Sequence, residues 1–256
     1  MVSHHHLAVV AEEPEADVFN TSFFFLYGIQ FNMNMYKIKM FLLFVSAICL
    51  LNFINAKALG YSLLGKVIYL DAGHGGVDVG ACYKDIHEED INLAITLKLK
   101  DKLESMGAQV LLTRNGDYDL SDKSASLRKR SDLGNRAKLI NNSKADLYLS
   151  IHLNSSLNSS WNGAQVFYDD INKNNKDVAI VFQKYFNKYL NSTKEIKEIN
   201  NLYMYKNITK PGVLLEVGFL SNPYERKKLL TDEYQNSIVS VILDALIEIF
   251  NKNMLY

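Results

Sequence analysis

From residue 66 to residue 251, short apolar runs of strand length alternate with amphipathic stretches of helix length. Residues 66–71 (Lys-Val-Ile-Tyr-Leu-Asp) are apolar and β-branched and end on a glycine-rich turn, the signature of a buried strand. Residues 90–106 set Ile91, Leu93, Ala94, Leu97, Leu99 and Leu103 at close to helical spacing and stop at Gly107. The same alternation predicts strands over 108–113, 145–151, 163–168 and 212–217, with a short one over 202–205. It predicts helices over 127–141 and 178–190, and one or two more over 229–251. Strands separated by helices imply an α/β fold: a single domain with a mostly parallel central sheet flanked by helices on both faces. The sequence after residue 65 shows no internal repeat and no linker, so this domain is expected to fill residues 59–256.

The first 58 residues read differently. Residues 1–32 fit no folded pattern, and His4-His5-His6 reads as a tag or leader remnant rather than a metal site. Residues 33–58 read as a signal peptide or N-terminal anchor. Lys37 and Lys39 give a positive start, an apolar run follows over 41–53, and Ala56-Lys57-Ala58 forms a small-residue cleavage site. The apolar run falls short of the ~20 residues that span a bilayer, which favours a cleaved signal. The expectation is export across the cytoplasmic membrane, with membrane contact only through this segment.

Composition removes two other classes. Lys and Arg number 28 and Asp and Glu number 28, so no basic excess supports nucleic-acid binding. Two cysteines, Cys49 and Cys82, cannot make a disulfide framework, and Cys82 reads as an ordinary small residue.

In an open α/β sheet, ligands bind beyond the carboxyl ends of the strands. Three of the expected strand ends carry metal-type or acid–base residues: His74 after the first strand, His152 after the third, and Glu216 within the strand over 212–217. A carboxylate, Glu88 or Glu89, precedes the first helix. Imidazole with carboxylate suits zinc, and a catalytic zinc keeps three protein ligands and one open position. Each residue also has a plainer reading: a histidine bonding the backbone in a turn, or a first-turn acid complementing the helix dipole. Glu216 resists the plain reading, because Val-Leu-Leu-Glu-Val-Gly-Phe-Leu would bury a carboxylate at a cost. Gly73, Gly75 and Gly76 do not have the spacing of a nucleotide loop.

The run Val-Ile-Tyr-Leu-Asp-Ala-Gly-His-Gly-Gly-Val-Asp-Val-Gly-Ala (67–81) resembles the opening motif of zinc-dependent N-acetylmuramoyl-L-alanine amidases, bacterial enzymes that cut stem peptides from peptidoglycan. The likeness continues in order. Residues 88–99 are similar to the family's E-K-D-x-N-L helix start, 111–114 to its second strand, and 127–135 to its L-x-x-R-x-x-x-A-N helix. Residues 145–154 and 211–222 complete the set. The resemblance implies Zn2+ held by His74, Glu88 and His152, with Glu216 catalytic. It selects Glu88 over Glu89, because the family's ligand lies two positions before the Asp of E-K-D. It places Arg114 and Arg130 at family positions, read here as structural pairing inside the fold. It further implies a peptidoglycan substrate, hydrolysis of the amide between N-acetylmuramic acid and L-alanine, and an activating protein partner. The minimal, signal-bearing form resembles amidases of spore-forming bacteria, which places the action in the cell wall or spore cortex. Tyr205-Lys206 departs from the pattern, where many relatives carry Leu-Arg.

Two other readings compete. A non-catalytic peptidoglycan-binding or regulatory module would keep the fold, but it would ordinarily have lost a ligand or the acid. A metallohydrolase of a phosphoester would use more carboxylates than this set offers.

Overall fold

A computed structural model of the chain describes residues 35–58 and 62–255, and the side chains of 52–58 are not among them. The leader reading of residues 1–32 and the side chains of the Ala56-Lys57-Ala58 cleavage site therefore lie outside the described residues. Contacts divide the chain into residues 1–53 and 54–256. Helix α1 (Met35–Ala58) begins in the first unit and carries exposed apolar side chains there, including Phe41, Leu42, Leu43 and Phe44. No described helix is long and apolar enough to cross a membrane.

The second unit has the expected α/β architecture. Its elements are β1 (Val67–Ala72), β2 (Cys82–Tyr83), β3 (Ile86–His87), α2 (Glu88–Ser105), β4 (Gln109–Leu112), α3 (Arg128–Asn142) and β5 (Leu147–Asn154). There follow β6 (Gln165–Tyr168), α4 (Asn175–Tyr189), β7 (Lys197–Glu198), β8 (Gly212–Phe219), α5 (Pro223–Leu229) and α6 (Asp232–Asn251). Six strands form one sheet in the order β4-β1-β5-β8-β6-β7. The first four are mutually parallel, and β6 runs antiparallel to β8. The chain leaves β1 toward β4 on one side and returns to β5 on the other, which puts a topological switch point at the carboxyl ends of β1 and β5.

The period-2 alternation of strands sorts the residues onto two faces. Ile68 and Leu70 of β1, Leu147, Leu149, Ile151 and Leu153 of β5, and Val213, Leu215 and Val217 of β8 belong to one large core. That core includes Ile95, Leu99 and Leu103 of α2, Phe182 and Phe186 of α4, and Ile238, Ile242 and Leu246 of α6. The opposite face holds a smaller cluster in which Tyr69, Tyr148 and Leu214 meet Ala137 and Ile140 of α3 and Met204, Tyr205 and Ile208.

Three details differ from the sequence reading. Residues 202–205 form no strand: Tyr205–Asn207 is a 3₁₀ turn, and the short strand is β7. A β2–β3 hairpin, too short to show periodicity, precedes α2. Helix α5 begins before 229, with Asn222 capping the N–H groups of Tyr224 and Glu225 and Pro223 in the first turn.

Candidate metal centre

The site begins with the turn that leaves β1. His74 takes φ 62°, a left-handed conformation that costs a non-glycine residue about 1 kcal/mol or more. Two buried arginines hold the turn there by its carbonyl oxygens. Arg114 donates from Nε to Ala72 O at 2.9 Å and from Nη2 to Gly73 O at 2.9 Å. Arg136 donates from Nη1 to Ala72 O at 2.8 Å and from Nη2 to His74 O at 2.6 Å. The glycine before His74 is required by space, since a Cβ on Gly73 would lie 2.3 Å from the His152 ring.

Glu88 opens α2 and is buried. Its Oε1 lies 3.2 Å from His74 Nε2 and 3.0 Å from His152 Nδ1, and it accepts from Asn92 Nδ2 and the Leu153 N–H. Its Oε2 accepts from the Ala81 N–H at 2.9 Å. Burial pushes the Glu88 carboxyl up, but His152 and His74 outweigh it and hold the group far below the usual carboxylate range. One ligand atom from each of His74, Glu88 and His152 lies within 4.8 Å of the others, so the three can hold a metal ion. His74 turns its other nitrogen, Nδ1, to Asp78 Oδ2 at 3.2 Å, the outer carboxylate that commonly orients a metal-binding imidazole. Burial lowers the His74 imidazole, but Glu88 and Asp78 together raise it above its ordinary value.

The sheet supplies the fourth group. His152 and Glu216 are register partners on β5 and β8, so both side chains leave the sheet on the same face. Glu216 is partly buried as a residue, yet its Oε2 is sealed from solvent and has no hydrogen-bond partner among the described residues. Burial, with Glu88 nearby, pushes its carboxyl up to about 7 against the pull of His152 and His74. A carboxyl in that range can hold a proton or release it near neutral pH.

A cavity of about 230 Å³ opens over this face, and His74, His152, Glu216, Lys129, Arg136 and Tyr205 are among its lining residues. Beneath it runs a chain of hydrogen bonds. Asp71 accepts from Arg136 Nη1 at 2.9 Å, Thr113 Oγ1 at 2.8 Å and Ser150 Oγ at 2.5 Å. Burial alone would raise the Asp71 carboxyl, but Arg136 and these hydroxyls keep it below normal and ionised. Ser150 therefore spends its single proton on Asp71, and Tyr205, 3.1 Å away, must be the donor to Ser150.

The structure gathers all four residues expected from the sequence: His74, Glu88 and His152 at one point, with Glu216 on the same face. Glu89 does not join them: its buried carboxyl abuts Asp117, and burial and that like charge push it up. Arg114 is the structural residue expected. Arg130 is not: it is exposed and stacks 4.7 Å above the Tyr203 ring. The buried arginine of α3 is Arg136, paired with Asp71 and Asp132. On the inward face of α3, Asp132, Arg136, Ala137 and Ile140 are buried.

Fold and site together define an α/β protein with a His-Glu-His cluster at the switch point of its sheet. The model of the N-acetylmuramoyl-L-alanine amidase family matches residues 68–248, and the chain belongs to that family. Among curated relatives, the germination-specific N-acetylmuramoyl-L-alanine amidase of Bacillus subtilis is 43% identical over 194 residues, which is 74% of this chain and 82% of that one. Among solved structures, the CwlD amidase of Clostridioides difficile, in complex with the GerS lipoprotein, is similar with a TM-score of 0.69 and 38% identity. That match covers 73% of this chain and 99% of the other. The catalytic domain of CwlV, an N-acetylmuramoyl-L-alanine amidase from Bacillus (Paenibacillus) polymyxa, is similar with a TM-score of 0.64 and 34% identity, over 73% and 98% of the two chains. The chain is thus an enzyme of peptidoglycan, an amidase by family.

Proposed function

We propose that this chain is a zinc-dependent amidase that hydrolyses the bond between the lactyl carbonyl of N-acetylmuramic acid and the nitrogen of L-alanine. In this reading His74, Glu88 and His152 hold the zinc, and Glu216 is the acid–base residue. The observation that carries it is the convergence of three ligand atoms within 4.8 Å, with the unpartnered Oε2 of Glu216 on the same face. A buried carboxylate that bridges two imidazoles suits a divalent cation with nitrogen and oxygen ligands.

When bound, zinc lowers the pKa of a water toward ~7 and polarises a carbonyl. The chain's own residues do the rest. Asp78 orients His74, and the arginine pair fixes the turn that carries it. Glu216 takes the proton from the attacking water and returns it to the departing amine of L-alanine, which its raised pKa allows. The likeness to a germination-specific amidase supports a role in the spore cortex, and with it an exported protein. The similar CwlD amidase was solved with a lipoprotein, which supports a protein partner for this chain as well.

Purified full-length protein, given zinc and isolated peptidoglycan, should yield free lactyl ends and released peptides that begin with L-Ala, as read by mass spectrometry. Cleavage within the stem peptide or the glycan would overturn the reading. Metal analysis separates the two adjacent acids: Glu88→Gln should lose zinc and Glu89→Gln should keep it.

A further inference from the structure

The chain has one tryptophan, and it is not buried. Trp161 sits in the loop between β5 and β6 with 53% of its surface exposed, and Leu157 of the same loop is fully exposed. A large aromatic ring is normally worth burying, so an ordered, exposed one calls for a reason. The loop is tied down at both ends: the Ser156 N–H donates to Ser221 Oγ at 3.0 Å, and the Gly163 N–H to Glu225 Oε1 at 3.0 Å. Between them the Trp161 N–H donates to Asn158 O at 3.2 Å. The ring is braced by the edge of Phe219, 6.3 Å away at 70°, and the Lys194 ammonium lies 4.8 Å over its centroid. Phe219 and Lys194 thus hold the ring, and about half of its surface stays exposed.

We infer that Trp161 is the platform of a glycan subsite, which takes an N-acetylhexosamine ring of the peptidoglycan strand beyond the cleaved muramoyl residue. Three observations fit that ligand. A pyranose has an apolar C–H face and a polar rim, and this loop sets one flat aromatic among the exposed side chains of Asn158, Ser159 and Asn162, with the Lys194 ammonium over one of its faces. The platform stands on the catalytic edge, because β6 is antiparallel to β8 and the loop must lie where β5 and β8 end. The separation suits a polymer: Phe219 is three residues past Glu216, ~10 Å along a strand, and Trp161 packs on it. A protein partner would ask for a broader apolar patch, of several hundred Å², than two side chains among amides and hydroxyls present.

The inference rests on the peptidoglycan reading for its ligand class, and its first test needs no catalysis. Because Trp161 is the only tryptophan, fluorescence of the full chain excited beyond the tyrosine absorption band reports on it alone. Titration with chitotriose, a β-1,4-linked N-acetylglucosamine trimer, should give a saturable change, and calorimetry should show that binding lost in Trp161→Ala and weakened in Trp161→Phe. On glycan strands Trp161→Ala should lose about tenfold in kcat/KM beyond its loss on a single-sugar muramoyl peptide, mostly through KM. Unchanged fluorescence, chitotriose binding that survives in Trp161→Ala, or equal losses on both substrates would overturn the subsite. A wild-type enzyme that binds chitotriose but cleaves neither substrate would instead contradict the proposed reaction.

Discussion

The two faces of the central sheet carry the same strands and do different work. One face presents Ile68, Leu70, Leu149, Ile151, Val213 and Leu215 to the core they share with α2, α4 and α6, and the strand side chains there are apolar. The other presents Asp71, Ser150, His152 and Glu216 beneath α3 and the turn at Tyr205, with Arg136 buried among them. Neighbours one residue apart on β1, β5 and β8 thus belong to a core or to the candidate metal centre, by parity alone. Polar groups are tolerated on the second face because nearly all are paired; Glu216 Oε2 is an exception, in keeping with the acid–base role proposed for it.

The comparison can be broken most sharply by substitutions of similar size on each face. Arg136→Met leaves the Asp71 carboxylate buried without its cation and should cost about 3–5 kcal/mol. It also frees the His74 carbonyl, so zinc binding should weaken with it. Leu149→Ala on the apolar face should cost about 2–5 kcal/mol, with no loss of zinc affinity in the folded fraction. Denaturant unfolding and chelator competition separate the two. If Leu149→Ala alone weakened zinc, the division of labour between the faces would fail.

A smaller effect is expected at Asp78→Asn, which spares the core and touches only the orientation of His74. Zinc affinity should fall about 10–100-fold with stability nearly unchanged, as measured by competition with a chelator.

The smallest effect is one of pH. Burial raises Glu216 from 4.5 to about 7, so the folded chain holds a proton there that the unfolded chain releases. The stability contributed by the protonated form is complete below about pH 4.5 and is lost as pH rises through about 7. With chelator present, Glu216→Gln should therefore gain in Tm over wild type as the pH goes from about 5 to about 8. A constant Tm difference would mean that Glu216 is not held in a dry site.

Much of this was legible in the sequence because strands and long helices announce themselves by period. The strand ends at His74 and His152 and the buried Glu216 followed from that pattern, and the family blocks chose Glu88 from two adjacent acids. What escaped detection has no period. The β2–β3 hairpin has two residues per strand, and the turn at Tyr205 is shaped by tertiary contacts. Arg136 was missed for another reason: it lies just past the family block at 127–135, and only the buried face of α3 marks it as structural. Trp161 left no trace, since a lone aromatic in a polar loop shows its exposure only in three dimensions.

Glu216→Gln tests the central claim most directly, with turnover and zinc content measured on the same preparation. The polar face as described predicts one zinc per chain, an unchanged fold, and loss of muropeptide release by about 10²-fold or more. Turnover near the wild-type rate with zinc in place would contradict it.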